Sequence, residues 1–162
     1  ALAGAGFRAY ALDLIGYGES GGERVAQRQQ AEAILDLLEA EGLAPATLGG
    51  SSWGGMVALE AALAVPEAVS RLVLVDSAGV GYFSEEQMES IACPTLVVWG
   101  EDDTVLPLSN AAWFGATIPR SRVETIAGVT DQEGVPEWGG HHPMRFKVIE
   151  FNEILLDFLR ST

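Results

Sequence analysis

The chain has 162 residues, of which 48% are hydrophobic and 20% charged, a composition typical of one folded domain and not of a disordered tail. Its formal net charge of −14 would repel nucleic acid and anionic membrane surfaces, so we expect neither as a partner. The single cysteine, Cys93, excludes an internal disulfide bond.

Short apolar runs alternate with segments of helical periodicity along the whole sequence. We expect strands at residues 7–14, 46–50, 71–76, 95–100 and 122–126, and helices at residues 30–42, 55–66, 84–91, 109–119 and 150–160. Such alternation predicts one α/β domain, a three-layer sandwich with a mostly parallel sheet of about five strands and helices on both faces.

The stretch "GGSSWGG" falls between an expected strand and an expected helix. Its glycine–x–serine–x–glycine pattern is met by Gly50, Ser52 and Gly54. Centred on Ser51, the pattern would need a glycine where Trp53 stands. A nucleophilic serine on a sharp strand-to-helix turn needs neighbours with almost no side chain, and the next backbone N–H, that of Trp53, then faces the oxyanion. The alternative is a glycine-rich turn with incidental serines, and this pattern alone does not decide between them.

An acidic cluster and a pair of histidines follow later strands. "EDDTVLP" comes after the strand at 95–100, and "GGHHP", with both histidines of the chain, comes after the strand at 122–126 and a loop. The order serine, aspartate, histidine, each past the end of a strand, is that of the α/β-hydrolase triad. In that triad the histidine accepts the serine proton and returns it to the leaving group, while the carboxylate orients the imidazole.

The chain resembles the α/β-hydrolase superfamily over nearly its whole length. The matching stretches are "YALDLIGYGESGG", "GGSSWGGMVAL", "LVLVDSAG", "CPTLVVWGEDDTVLP" and "GGHHP" with "FNEILLDFL". The family pattern around the acid implies Asp103, with Asp102 as a solvated or loop-capping neighbour. The pattern glycine–histidine–x–proline implies His141 as the base, with His142 as a loop residue.

The resemblance implies a serine hydrolase that cleaves small carboxylic esters through an acyl-enzyme on Ser52. A serine at this position, where haloalkane dehalogenases and epoxide hydrolases carry aspartate, disfavours those branches. We expect no cofactor and no metal, because the sequence has no phosphate-binding glycine pattern and two adjacent histidines with one cysteine make a poor zinc site. Asp76 ends the strand at 71–76, where some family members carry the acid, but a loop-capping role is the stronger interpretation beside Asp103.

The sequence also departs from the family pattern. The first three strands are missing, together with the loop that donates the second oxyanion N–H, for which Gly16 or Tyr17 could substitute. In the family another strand separates the ones expected here at 7–14 and 46–50. Without it, the first strand must pair directly with 46–50, pair with another molecule or leave an open edge. We therefore predict a homodimer through that exposed sheet edge.

The cap that the family often inserts is replaced by "SAGVGYFSEEQMESIA". We therefore expect residues 1–162 to form one minimal domain without a lid, whose open site suits small substrates. The residues expected to line an acyl pocket, each with ordinary packing as the alternative, are Trp53, Tyr82, Phe83, Trp138 and Met144.

Two other functions stay open at this stage. A weak or inactive fragment that acts as a scaffold or interaction module is favoured by the missing oxyanion loop. A cofactor-free perhydrolase or haloperoxidase would share the same triad. No signal peptide or apolar run of transmembrane length is recognisable, so we expect a cytoplasmic location. Because the sequence begins with Ala1 and not with methionine, we expect it to have been cut from a longer chain.

Overall fold

A computed structural model of the protein describes residues 1–129 and 140–161. Within these ranges four strands form one parallel sheet, in the same order in space as in the chain. They are β1 (Ala46–Ser51), β2 (Val69–Val75), β3 (Thr95–Gly100) and β4 (Ser121–Ile126). The predicted parallel α/β sheet is confirmed, with four strands in the described part instead of about five.

Helices connect the strands and cover the sheet. They are α1 (Gln27–Ala40), α2 (Trp53–Ala64), α3 (Glu85–Glu89), α4 (Ser109–Thr117), α5 (Pro143–Phe146) and α6 (Val148–Arg160), with short 3-10 turns at Ala3–Ala5 and Pro66–Ala68. A helix must follow each strand here, because two parallel neighbours can be joined only by a crossover. Among the described helices, none combines the length and the apolar character needed to cross a membrane.

The core lies on both faces of the sheet, because successive side chains of a strand point to opposite sides. On one face Leu72, Leu74, Val97 and Trp99 pack against α2, α3 and α4. On the other face the alternate residues of β2 and β3 pack against Phe151 of α6. The predicted three-layer arrangement is confirmed, and α1 packs against α2.

The strand expected at residues 7–14 does not form. Tyr10 is 56% exposed and Leu12 is 46% exposed, although their alternating pattern is typical of a strand. The physical reason is the lack of a neighbour, since a strand is stable only when another strand takes up its backbone N–H and C=O groups. In the described ranges the outer edge of β1 pairs with no strand. Association through this edge stays a prediction.

A side chain of α1 holds the turn that follows this segment. The buried Gln30 accepts the Ile15 N–H at 2.8 Å through Oε1 and donates to the Ile15 carbonyl oxygen at 2.9 Å through Nε2. An amide side chain thus satisfies both backbone groups of one residue, as a neighbouring strand would. The turn carries Tyr17, whose ring lies 5.7 Å from the ring of Trp53 at the start of α2.

Candidate active site

The turn between β1 and α2 holds Ser52 in a backbone conformation that residues other than glycine rarely adopt. Its φ is 53° and its ψ is −120°. Two hydrogen bonds hold this strained turn: the Ser52 N–H donates to the Val75 carbonyl oxygen at 2.9 Å, and the Ser52 carbonyl oxygen accepts the Ala78 N–H at 3.0 Å. Both partners belong to the end of β2 or the loop after it. Such strain, maintained by the surroundings, is what a nucleophile turn requires.

Two glycines, Gly50 and Gly55, make this turn possible. The sequence pattern indicates Gly50 and Gly54 instead. A side chain on Gly50 would overlap the backbone of Gly54, and one on Gly55 would overlap the Ser77 hydroxyl. A side chain on Gly54 would meet nothing within 4 Å. The prediction that both flanking positions must be small is therefore right for Gly50 and wrong for Gly54. Gly55, outside the pattern, is the second position where space is lacking.

Asp103 and His141 form a buried pair. His141 Nδ1 lies 2.8 Å from Asp103 Oδ2, and both side chains are fully buried. The other oxygen of Asp103 accepts the N–H groups of Val105 at 2.7 Å and Leu106 at 3.0 Å. The buried Trp99 indole donates to the Leu106 carbonyl oxygen at 3.1 Å and so holds this loop on the core. Because Nδ1 faces the carboxylate, Nε2 lies on the far side of the ring, where a triad base works.

Two glycines bring this pair together across a sequence separation of 38 residues. A side chain on Gly100, the last residue of β3, would overlap the Gly140 carbonyl oxygen. A side chain on Gly140 would in turn overlap the backbone of Asp102 and Asp103. Gly140 has a φ of +82°, and its N–H donates to the Val129 carbonyl oxygen at 2.8 Å. His141 is therefore placed by direct backbone contact with the loop that carries Asp103.

Asp76, directly after β2, is a second buried carboxyl at the same place. Its Oδ1 accepts the Gly100 N–H at 2.8 Å, in keeping with the expected capping role. One oxygen of Asp76, one oxygen of Asp103 and a ring nitrogen of His141 all lie within 4.8 Å of one another. Burial raises the pKa of Asp76 to about 8; the Gly100 N–H opposes this and the charge of Asp103 adds to it. The resemblance marks Asp76 as a place where some family members carry the acid, and the structure has both carboxyl groups there together.

The family model of the α/β hydrolase fold matches residues 1–92. The chain belongs to the α/β-hydrolase family. Over 98% of its length it is 30% identical to the protein ABHD14A of Danio rerio, of which it spans 55%. Over 92 residues it is 40% identical to a 2-hydroxymuconate semialdehyde hydrolase of Pseudomonas sp. (strain CF600), a match that covers 52% of the chain and 31% of that hydrolase. The chain thus spans about half or less of these curated relatives.

A solved structure extends this likeness to three dimensions. The crystal structure of a predicted CIB-like hydrolase from Thermoplasma acidophilum has a TM-score of 0.81 and 31% sequence identity. The match covers 93% of this chain and 70% of that one. These relatives support a hydrolase as the general class.

The two turn residues expected to help stabilise the oxyanion of this α/β hydrolase do not have their N–H groups available. The Gly16 N–H donates to the Gly21 carbonyl oxygen at 3.2 Å, and the Tyr17 N–H donates to the Leu14 carbonyl oxygen at 2.8 Å. Both are used inside their own turn, so the expectation for Gly16 and Tyr17 is corrected. Within residues 1–129 and 140–161, by contrast, no backbone acceptor takes the Trp53 N–H. It begins α2, where the helix dipole favours negative charge.

The side chains expected to line an acyl pocket are not gathered into one. Phe83 is only 5% exposed and packs in the core beneath α2 and α4. Met144 packs with the cluster on the opposite face of the sheet. Tyr82 donates from its hydroxyl to Glu60 at 3.1 Å on the flank of α2. For Phe83 and Met144 ordinary packing, the alternative interpretation, is what the structure shows.

Trp53 is half-buried beside the nucleophile turn, with the Tyr17 ring next to it. Of the five expected pocket residues it is therefore the one that the structure places next to Ser52. Trp138 lies outside the described residues. A groove of ≈ 360 Å³ lies between residues 11–20 and α1, lined by Leu14 and Ile34 among others, and includes none of Ser52, Asp103 and His141.

Proposed function

We propose that this α/β hydrolase is a serine hydrolase of small carboxylic esters, with Ser52 as nucleophile, His141 as general base and Asp103 as the group that orients His141. The observation that carries this proposal is the fully buried Asp103–His141 pair, in which Nδ1 lies 2.8 Å from Oδ2. This pair and the strained Ser52 turn both follow the carboxyl ends of strands of the sheet. The Ser52 N–H donates to the Val75 carbonyl oxygen. Val75 directly precedes Asp76, whose carboxyl group lies beside Asp103 and His141. The relatives support the wider class of hydrolase.

In the proposed reaction Ser52 Oγ attacks the ester carbonyl carbon while His141 Nε2 takes the hydroxyl proton. The oxyanion that forms accepts a hydrogen bond from the Trp53 N–H, aided by the start of α2. The intermediate then expels the alcohol, which receives the proton from His141. Water repeats the sequence on the acyl-enzyme and releases the carboxylic acid, and Asp103 stays ionised throughout to stabilise the imidazolium.

The choice of test substrate follows from the oxyanion site. The predicted donors Gly16 and Tyr17 use their N–H groups elsewhere, and the loss of one oxyanion donor costs a factor of about 10²–10³ in kcat. We therefore expect esters with good leaving groups, such as p-nitrophenyl acetate, to be hydrolysed measurably faster than simple alkyl esters. Such leaving groups depend less on stabilisation of the intermediate.

The direct test is labelling with a fluorophosphonate, which reacts with an activated serine, followed by peptide mass spectrometry. We expect an adduct on Ser52 in the unaltered protein and none in Ser52→Ala. Ser51→Ala is the matched control, because Ser51 is adjacent and its Oγ has no hydrogen-bond partner among the described residues. It should label like the unaltered protein. A folded protein without adduct would refute the proposed function.

That negative outcome would favour the second candidate, a family member that acts as a scaffold or interaction module. Two observations support it: the outer edge of β1 pairs with no strand in the described ranges, and the N–H groups of Gly16 and Tyr17 are already bonded. Gel filtration with light scattering would then test association through the β1 edge. A dimer that dissociates when a proline is placed at Thr47, which is exposed on β1, would support that candidate.

A further inference from the structure

The proposed mechanism uses one buried carboxylate, that of Asp103, but the structure holds two side by side. Asp76 is 0% exposed, and one of its oxygens lies within 4.8 Å of an Asp103 oxygen and a His141 nitrogen. We propose that Asp76 is a protonated positioning residue that donates a hydrogen bond from its carboxyl group to the Asp103 carboxylate. The inference rests on the proposed function for the role of His141, but not for the bond itself.

The hydrogen bonds around Asp76 leave one oxygen to be explained. Oδ1 accepts the Gly100 N–H at 2.8 Å. Oδ2 is buried and has no donor within reach in the described part of the chain. A buried acceptor without a donor is costly, and the carboxyl group that lies beside Asp76 is that of Asp103, which also accepts hydrogen bonds. One proton between the two carboxyl groups turns this mismatch into a hydrogen bond.

The surroundings also indicate which carboxyl keeps the proton. Two carboxylates close together in a buried site cannot both be ionised at little cost, so one is protonated. Asp103 accepts two backbone N–H groups and faces His141 Nδ1, three contacts that stabilise its anion. Asp76 accepts one N–H, that of Gly100. The raised pKa of Asp76, about 8, agrees with a proton on Asp76.

The backbone fixes Asp76 in place for this role. Its φ is 43°, a conformation unusual for a residue other than glycine, and its N–H donates to the Val98 carbonyl oxygen of β3 at 3.0 Å. Asp76 is thus held between the ends of β2 and β3. A donor held there would fix the Asp103 carboxylate against the His141 ring.

The experiment follows the titration of the His141 ring by nitrogen NMR in the unaltered protein, Asp76→Asn and Asp76→Leu. The titratable groups that face Asp76 in the described residues are Asp103, from the loop after β3, and His141. Gly100, which donates its N–H to Asp76, has no titratable side chain. Asn keeps both a donor and an acceptor, so the midpoint should not change. Leu removes the donor, so Asp103 becomes a stronger acceptor and the midpoint should rise by about half a unit or more.

Two results would overturn the proposal. If Asp76 were ionised, Asp76→Asn would remove a negative charge beside His141 and lower the midpoint by about one unit. If all three proteins had the same midpoint, Asp76 would make no bond to Asp103. A stoichiometric divalent metal in the purified protein would also overturn it, because a cation would then take the place of the proton.

The design separates this inference from the proposed function and from misfolding. The titration needs no turnover, so it can hold even when fluorophosphonate fails to label Ser52. If Asp76→Leu does not fold, the comparison of the unaltered protein with Asp76→Asn still decides, together with infrared difference spectra. These should show a carboxylic-acid C=O band at neutral pH that Asp76→Asn lacks, and the absence of that band would contradict the proposal.

Discussion

Two regions of the molecule, the end of β3 and the segment at residues 7–14, differ in how many contacts hold them. At the end of β3, both oxygens of Asp103 have partners and His141 is fully buried. In the segment at residues 7–14, by contrast, Tyr10 and Leu12 are half-exposed. Both regions have apolar runs followed by a glycine-containing turn. The difference is that β3 lies between two strands, whereas the segment has no strand beside it in the described part of the chain.

The contrast shows that a local pattern becomes regular structure only where a neighbour completes its hydrogen bonds. Gln30 makes the same point on a smaller scale, since its amide completes the bonds of Ile15 and the chain is ordered there. We therefore expect substitutions at the end of β3 to have large effects and substitutions near residues 7–22 to have local ones. The following predictions test that comparison.

The largest effect is expected for Asp103→Asn. The amide would favour the wrong imidazole tautomer, and in a serine-protease triad this substitution costs a factor of about 10⁴ in kcat. Ester hydrolysis should fall by that order. Asp102→Asn is the matched control, because exposed Asp102 accepts only the Gly128 N–H at 3.0 Å through Oδ2 among the hydrogen bonds described. It should change kcat by less than about threefold, and equal losses for the two variants would contradict the assignment.

The second largest effect is expected for Asp76→Asn, in the pH dependence of the free energy of unfolding. The pKa of Asp76 is raised from its ordinary value of 3.8 to about 8 in the folded protein. Between pH 3.8 and about pH 8 the folded state holds a proton on Asp76 that the unfolded state has lost. The contribution of protonated Asp76 to stability is therefore complete below pH 3.8 and is lost as the pH rises through about 8. Asp76→Asn should therefore gain stability relative to the unaltered protein from pH 4 to pH 8, by about 5 kcal/mol, since each unit of pKa shift corresponds to about 1.4 kcal/mol.

Urea unfolding of both proteins at several pH values measures this difference. The difference between the two free energies of unfolding is the quantity to follow, because the many other carboxylates in a chain of net charge −14 affect both proteins equally. A constant difference between pH 4 and pH 8 would mean that Asp76 is ionised over the whole range.

A smaller effect on the free energy of unfolding is expected for glycine substitutions in the turn between β1 and α2. Gly50→Ala should lower the free energy of unfolding by about 2 kcal/mol or more, because its methyl group overlaps the backbone of Gly54. Gly54→Ala has open space around the methyl group and should stay within about 1 kcal/mol, with a gain in helix propensity in its favour. Denaturant unfolding compares the two, and a larger loss for Gly54→Ala would contradict the geometry.

The smallest and most local effect is expected for Gln30→Leu. It leaves the Ile15 N–H and carbonyl oxygen without their partner, at a cost of about 1–2 kcal/mol. Hydrogen exchange of the Ile15 amide should become fast, while amides of β2 and β3 stay protected. Gln29→Leu is the control, because the exposed Gln29 side chain has a single hydrogen bond among the described residues, which it accepts from the Ala26 N–H at 3.3 Å. Loss of protection throughout the sheet in Gln30→Leu would mean that the two regions are not independent.

Much of this architecture could be predicted from the sequence. The runs "RLVLVD" and "TLVVWG" are continuously apolar, as strands buried on both faces must be, and they form β2 and β3. Asp103 and His141 follow strand ends and meet there, because parallel strands end at one edge of the sheet. The spacing did not predict Gly55, since its requirement comes from Ser77, a residue brought close only by folding.

The predictions that failed did so for three different physical reasons. The apolar pattern of residues 7–14 says that a strand would suit this segment, but not whether a neighbouring strand is present. Phe83 and Met144 have side chains that serve equally well in a pocket or in a core, and only the packing decides. The N–H groups of Gly16 and Tyr17 are used by the tight turn itself, a common consequence of glycine-rich turns.

The hydrogen bond from Gly140 to Val129 has a consequence for how chains of this family could diversify. This bond and the close contact with Gly100 fix the position of Gly140, and His141 follows directly after it. Sequence changes upstream of Gly140 that preserve both contacts should therefore leave His141 in place beside Asp103.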